Sequence, residues 1–120
     1  MVAVSNKKRR AVATAMLALD DYWAETFADL GLEDLNYSDL FFRMWLHAET
    51  PLTKTGLYEF MPGVSRRTAV KYVQGLIDLG LLIEESTPGD RRVKYVSLSA
   101  ELCARLERYL DFGYGKLQKL

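Results

Sequence analysis

The chain has one cysteine, one histidine, three prolines and no formal net charge in 120 residues, and each scarcity closes off a class of protein. Cys103 alone makes neither an intramolecular disulfide nor a cysteine-rich zinc site. It fits a reducing cytoplasm, where a lone thiol is by default a small buried hydrophobe. With His47 the only histidine, a Ser/His/Asp or Cys/His arrangement would hang on one residue inside RMWLHAET, and no nucleophile elbow accompanies it. HExxH, a glycine-rich phosphate loop before a helix and a spaced zinc or calcium ligand set are all missing. The acidic doublets Asp20-Asp21 and Glu84-Glu85 read as solvated faces. The expectation is a protein that is not an enzyme and carries no metal and no cofactor.

Long apolar runs are missing too, so no span of a bilayer and no membrane partner is expected. The cations at 7–10 followed by an apolar run at 11–19 imitate a secretory signal. Asp20 and Asp21 follow at once, however, and the apolar pattern continues at helical spacing through Val12, Met16, Leu19, Trp23, Phe27 and Leu30. One amphipathic helix over 7–30, ended by Gly31, explains both halves, and the expected location is cytoplasmic. Such an arm usually packs against another chain.

What is present is a 49% hydrophobic composition, enough for one domain with a real core. A second helix is expected in NYSDLFFRMWLHAETP, capped by Asn36 or Ser38, with Leu40, Phe41, Met44, Trp45 and Ala48 inward and Pro51 beyond it. A short third helix in LTKTGLYEFM is capped by Thr53, with Leu57 and Phe60 inward. In VSRRTAVKYVQGLIDLG, Ser65 caps, Ala69, Val73, Leu76 and Ile77 face inward, and Gly80 stops the helix. Gly75 inside it suggests a close helix contact. The period then changes to an extended one. LLIEES and RVKYVSLS flank a Pro88-Gly89 turn as a hairpin, with Val96 and Leu98 on one face. Ser99 caps a last helix, with Leu102, Leu106, Leu110 and Leu117 on one side. Gly113 and Gly115 are expected to break or fray its last third.

Two stretches carry chemistry. In SRRTAVKYV, burying Ala69 and Val73 leaves Arg66, Arg67, Thr68 and Lys71 facing out at a helix start. A helix fits the major groove of duplex DNA, arginine can make two bonds to a guanine edge, and Ser65, Thr68 and the helix start can bond phosphates. In STPGDRRVKYV, three cations crowd one turn, either as a solvated hairpin tip or as a finger toward a polyanion. Zero net charge does not decide between these, because phosphate contacts depend on the local field.

Residues 52–102 resemble the winged helix-turn-helix of the MarR (multiple antibiotic resistance regulator) family. The matching features are the Leu52-Thr53 helix start, Val64-Ser65, Leu76 and Gly80 leading into Leu81-Leu82, the Asp-x-Arg wing at Asp90-Arg91-Arg92, and VSLS before the last helix. The fold implied is mainly α with a small β-hairpin, a winged helix-turn-helix with N- and C-terminal dimerisation helices. On that pattern 1–120 is a single domain: an N-terminal arm at 7–30, a winged DNA-binding core at 52–98 and a C-terminal arm at 99–120. The resemblance implies a homodimer that binds a palindromic operator in double-stranded DNA as a transcriptional regulator, a repressor by type, its recognition helices about 34 Å apart. By position, Arg92 is the arginine that enters the minor groove and Asp90 the acid that positions it, with Arg91 and Lys94 on the flanking backbone.

Aromatic residues crowd between Tyr22 and Phe60, and regulators of this type often take small aromatic effectors. Trp23, Tyr37, Trp45 and His47 would suit such a pocket, although helical aromatics also simply fill a core. The alternative function is a winged-helix module that binds another protein and no DNA.

Overall fold

The computed structural model describes residues 3–120. Five helices and one hairpin follow in the order α1 (Asn6–Phe27), α2 (Leu35–Leu46), α3 (Lys54–Glu59), α4 (Arg66–Asp78), β1 (Leu82–Ser86), β2 (Lys94–Leu98) and α5 (Ala100–Gln118), with a 3-10 turn at Ala28–Leu30. They form two compact units: one holds the chain up to Glu33 together with Arg105–Leu120, the other Asp34–Ala104. Among the described residues no helix is long and apolar enough to cross a membrane.

In the first unit, Ser5 caps α1 by accepting from the Lys8 amide, and Gly31 closes the following 3-10 turn at φ 71°. A positive φ is nearly free for glycine and strained for other residues, so Gly31 ends the helical stretch as expected, but the α-helix itself stops at Phe27, short of the expected Leu30, and the last turn is 3-10. Trp23 and Phe27 are buried, and the Trp23 indole N–H donates to the Leu32 carbonyl at 3.1 Å. Against them lies α5, with Tyr22 stacked on Phe112 at 4.1 Å and Trp23 edge-on to Tyr109 at 5.0 Å. The expected break at Gly113 and Gly115 does not occur, since α5 stays helical to Gln118. A Cβ on Gly113 would sit 3.3 Å from the Leu19 side chain. Gly113 is therefore where α5 comes close to α1, and the packing offsets the roughly 1 kcal/mol that glycine costs a helix. Leu117, expected on the inner side, is 54% exposed.

In the second unit the cap of α2 is Asp34, not Asn36 or Ser38. One Asp34 carboxylate oxygen accepts from the Asn36 amide at 2.7 Å, and the other accepts from the Tyr72 hydroxyl at 2.7 Å. Ser38 instead donates to the Leu35 carbonyl. Thr53 caps α3 and Ser65 caps α4 as expected. Leu40, Phe41, Met44, Leu57, Ala69, Val73, Leu76, Leu82, Val96 and Leu102 are buried. They supply one inward face per helix and one from the hairpin, the pattern that apolar periodicity dictates. Ile77 is half-buried. Gly75 has nothing within 4 Å of where its Cβ would be, so no close helix contact explains it.

Gly80, at φ 75°, turns the chain from α4 into β1. The strands pair antiparallel with Leu82 opposite Leu98 and Glu84 opposite Val96. The outer edge of β2 is covered where the Val96 amide donates to the Leu52 carbonyl at 2.8 Å. Two short helices under a capped third, followed by a hairpin, make this unit a winged helix-turn-helix.

Candidate nucleic-acid interface

The start of α4 is fixed by a local hydroxyl pair. The Ser65 hydroxyl accepts from the Thr68 amide at 3.2 Å and donates to the Thr68 hydroxyl at 3.1 Å. Ala69 and Val73 are 1% exposed, which turns Arg66, Arg67 and Lys71 outward. The Arg66 guanidinium lies over the Tyr58 ring, 5.6 Å from its centroid. Arg67 and Lys71 are exposed and form no ion pair among the described residues. No acidic residue occupies the first turn, so nothing opposes the positive end of the helix dipole.

The hairpin returns alongside α4. Lys54 makes this visible: its ammonium is 2.9 Å from Glu84 on β1 and 3.5 Å from Gln74 on α4. One side chain thus meets both limbs of the turn at Gly80, the middle of α4 and the middle of β1. The same contact neutralises Lys54.

That loop, residues 87–93, is closed by its own hydrogen bonds. The Thr87 amide donates to the Val93 carbonyl, the Val93 amide to the Asp90 carbonyl, and the Thr87 hydroxyl to the Asp90 carbonyl at 2.7 Å. Asp90 then fixes Arg92 twice over. One carboxylate oxygen accepts from the Arg92 backbone amide at 2.9 Å and from its Nε at 3.2 Å, and the other faces Nη2 at 3.4 Å. These bonds hold the Asp90 carboxyl below its ordinary pKa, the side-chain bond from Arg92 contributing most. The Arg92 side chain nevertheless stays 91% exposed. A fork–fork pair sets the guanidinium in one geometry without taking it out of water. Arg91 and Lys94 flank it, exposed.

The residues suggested for an effector are less gathered. Trp23 belongs to the other unit, buried and bonded as described. Tyr37 packs on Tyr72, ring centroids 4.8 Å apart, and its burial pushes its hydroxyl pKa up. His47 is exposed and stacks on Phe60 at 5.5 Å, and Trp45 is half-buried. A cavity of about 420 Å³ lies elsewhere in the second unit, where Met44, Leu52, Val96, Leu98 and Cys103 are among its walls. None of Tyr37, Trp45 or His47 lines it. Cys103, expected buried, is half-buried there.

Sequence reasoning missed Tyr58, the platform under Arg66, which it counted only among the crowded aromatics. It also missed the Lys54 to Glu84 tie. The available signal for both was their place on α3 and β1, the elements packed against α4.

No protein-family model and no curated protein sequence matches the chain. Solved structures do. S. aureus MepR in complex with DNA is 14% identical, with a TM-score of 0.69 over 92% of this chain and 78% of that one. The transcriptional regulator Tm0710 from Thermotoga maritima is 17% identical, with a TM-score of 0.61 over 96% of this chain and 78% of that one. Bordetella bronchiseptica BpsR, whose DNA binding is regulated by 6-hydroxynicotinic acid, is 18% identical, with a TM-score of 0.53 over 99% of this chain and 82% of that one. These neighbours are MarR-family transcriptional regulators. The chain has their winged helix-turn-helix fold, as its sequence resemblance implied.

Proposed function

We propose that the protein is a transcriptional regulator that binds a palindromic operator in double-stranded DNA as a homodimer. The observation that carries this reading is the wing arginine, locked by Asp90 and left in water, on a hairpin whose first strand is tied to α4 through Lys54. An arginine held this way suits a narrow minor groove, where the negative potential is enhanced. Arg92 inserts there, Asp90 orients it, and Arg91 and Lys94 meet the flanking phosphates. Arg67 and Lys71 enter the major groove beside Ser65 and Thr68, with Arg66 steered by Tyr58. DNA complexes of a neighbour and the small-molecule control of another support the same reading, including a small aromatic effector.

Selection of bound sequences from a random duplex library tests it. One consensus with dyad symmetry is expected, with affinity that falls steeply as salt rises. Arg67→Ala should shallow the salt dependence by about one unit if Arg67 contacts phosphate. No enrichment, together with negligible affinity for any duplex at low salt, would reject the regulator.

A further inference from the structure

Helix α4 buries Ala69, Val73 and Leu76 and turns its opposite side to water. On that side Arg67, Val70, Lys71 and Gln74 are exposed at positions i, i+3, i+4 and i+7, the spacing at which a helix lying in a major groove presents side chains to base edges. Arg67, Lys71 and Gln74 are polar, and Val70 is not. It is the one large apolar side chain of α4 left exposed, at 39%.

Helix propensity does not favour a valine at that place, because its branched Cβ loses rotamer freedom against the preceding turn. One turn to either side of it, the Arg66 guanidinium lies over the Tyr58 ring at 5.6 Å, and the Gln74 amide donates to Asp78 at 2.9 Å while its oxygen accepts from Lys54 at 3.5 Å. Both long side chains thus have partners of their own, and the valine methyls keep an open approach. The tie on Gln74 and the exposed carboxylate of Asp78 also close this face to a polyanion beyond its first two turns. What remains for contact is Arg67, Val70 and Lys71.

We infer that Val70 is a specificity-determining residue that reads thymine through its 5-methyl group. That methyl is the one apolar group on the major-groove edges of the base pairs, and an apolar side chain is the partner it takes. The stiffness that makes valine a poor helix former serves such a contact, since its methyls already stand in one preferred rotamer before DNA arrives. Arg67 and Lys71 beside it offer only N–H donors, which suit guanine edges and phosphate oxygens but do not sense a methyl. A fixed thymine in each half-site follows. The contact rests on the operator reading above and names one base that the operator must hold.

Deoxyuridine tests it, because uracil differs from thymine by that methyl alone and pairs with adenine in the same way. In a selected operator, each thymine is replaced in turn by deoxyuridine in both half-sites at once, and affinity is followed by fluorescence anisotropy for the unmodified chain, Val70→Ser and Val70→Ile. At one symmetric position the unmodified chain should lose about fifteenfold in affinity, roughly fourfold for each methyl that loses its apolar partner. Val70→Ser should bind the thymine and deoxyuridine duplexes equally at that position, with its thermal midpoint unchanged because the side chain lies at the surface. Val70→Ile, which keeps an apolar side chain, should retain the preference for thymine. An effect of the missing methyl on duplex shape alone would persist in Val70→Ser. A deoxyuridine penalty of the same size in the unmodified chain and in Val70→Ser, or no penalty at any position, overturns the role of Val70 while leaving the regulator standing. An operator whose half-sites hold no fixed thymine does the same. Failure to select any operator overturns both.

Discussion

Two aspartate–arginine pairs in this molecule have the same chemistry and opposite consequences. In the first unit, Arg105 on α5 clasps Asp29 through both carboxylate oxygens at 2.8 and 3.0 Å, and it also donates to the Thr26 carbonyl at 2.9 Å. Its side chain is only 18% exposed. In the second unit, Arg92 meets Asp90 two residues away and remains 91% exposed. Both carboxyls are held below their ordinary pKa, chiefly by the hydrogen bond from their arginine. The long-range pair ties the end of α1 to α5 and satisfies a backbone carbonyl. The local pair ties nothing together that the loop's own backbone bonds do not already hold. Its effect is to shape a guanidinium that still faces water, and it is this guanidinium that the proposed DNA contact uses.

The contrast can be broken by deleting each arginine in turn. Arg92→Ala should weaken binding to a selected operator by about 1–3 kcal/mol, roughly fivefold to a hundredfold by gel shift, with the thermal midpoint unchanged. A variant that melts earlier but binds as before would reverse the roles assigned to the two pairs. Arg105→Ala should do the opposite. Loss of its packed stem and of the partner for the Thr26 carbonyl lowers stability by about 1 kcal/mol in urea titrations, while duplex affinity of the folded fraction stays the same.

Asp90→Asn sharpens the comparison further. The amide still accepts from the Arg92 backbone but no longer holds its guanidinium by charge, so operator affinity should fall about threefold, less than on losing the arginine itself. An effect equal to that of Arg92→Ala would mean that Asp90 contacts DNA directly or shapes the whole loop. The smallest effect is expected in acid. A carboxyl with a depressed folded-state pKa contributes stability above its unfolded value and loses it as pH falls through the folded one. The Asp29, Asp34 and Asp90 bonds therefore persist from pH 8 to about 5 and fail only below about pH 4. In Arg105→Ala, Asp29 loses its depression, so acid unfolding followed by circular dichroism should begin at a slightly higher pH than in the unmodified chain. A midpoint moved to lower pH would contradict the clasp.

What the sequence made legible was what local chemistry decides. Ser65 and Thr53 cap because their hydroxyls reach an amide three residues on, and Gly31 and Gly80 stop helices because of their own φ; neither depends on the rest of the fold. Asp90 and Arg92 belong to the same class, since their pairing spans two residues. The cap of α2 was not legible, because Asp34, Asn36 and Ser38 are all competent locally. Asp34 is favoured by the hydroxyl of Tyr72, far along the chain; the Asn36 amide first, and this hydroxyl second, hold the Asp34 carboxyl below its ordinary pKa. Gly113 failed for the same kind of reason, since its propensity says break and the closeness of Leu19 says otherwise. The seating of Arg66 on Tyr58 joins two helices, and no spacing rule announces it. The aromatics suggested for an effector were chosen by type alone, and type does not say which rings share a cavity.

The central claim is that the tip of the hairpin and the start of α4 grip one half of a single operator. Its most direct measurement is localised DNA cleavage by an iron chelate attached through cysteine, in a Cys103→Ser background, once at Arg92→Cys and once at Lys71→Cys. If the claim holds, the two positions cut within the same half-site, about half a helical turn apart, with a mirror set in the other half. Cuts from the α4 position with none from the wing, or cuts from the two positions that share no half-site, would contradict it.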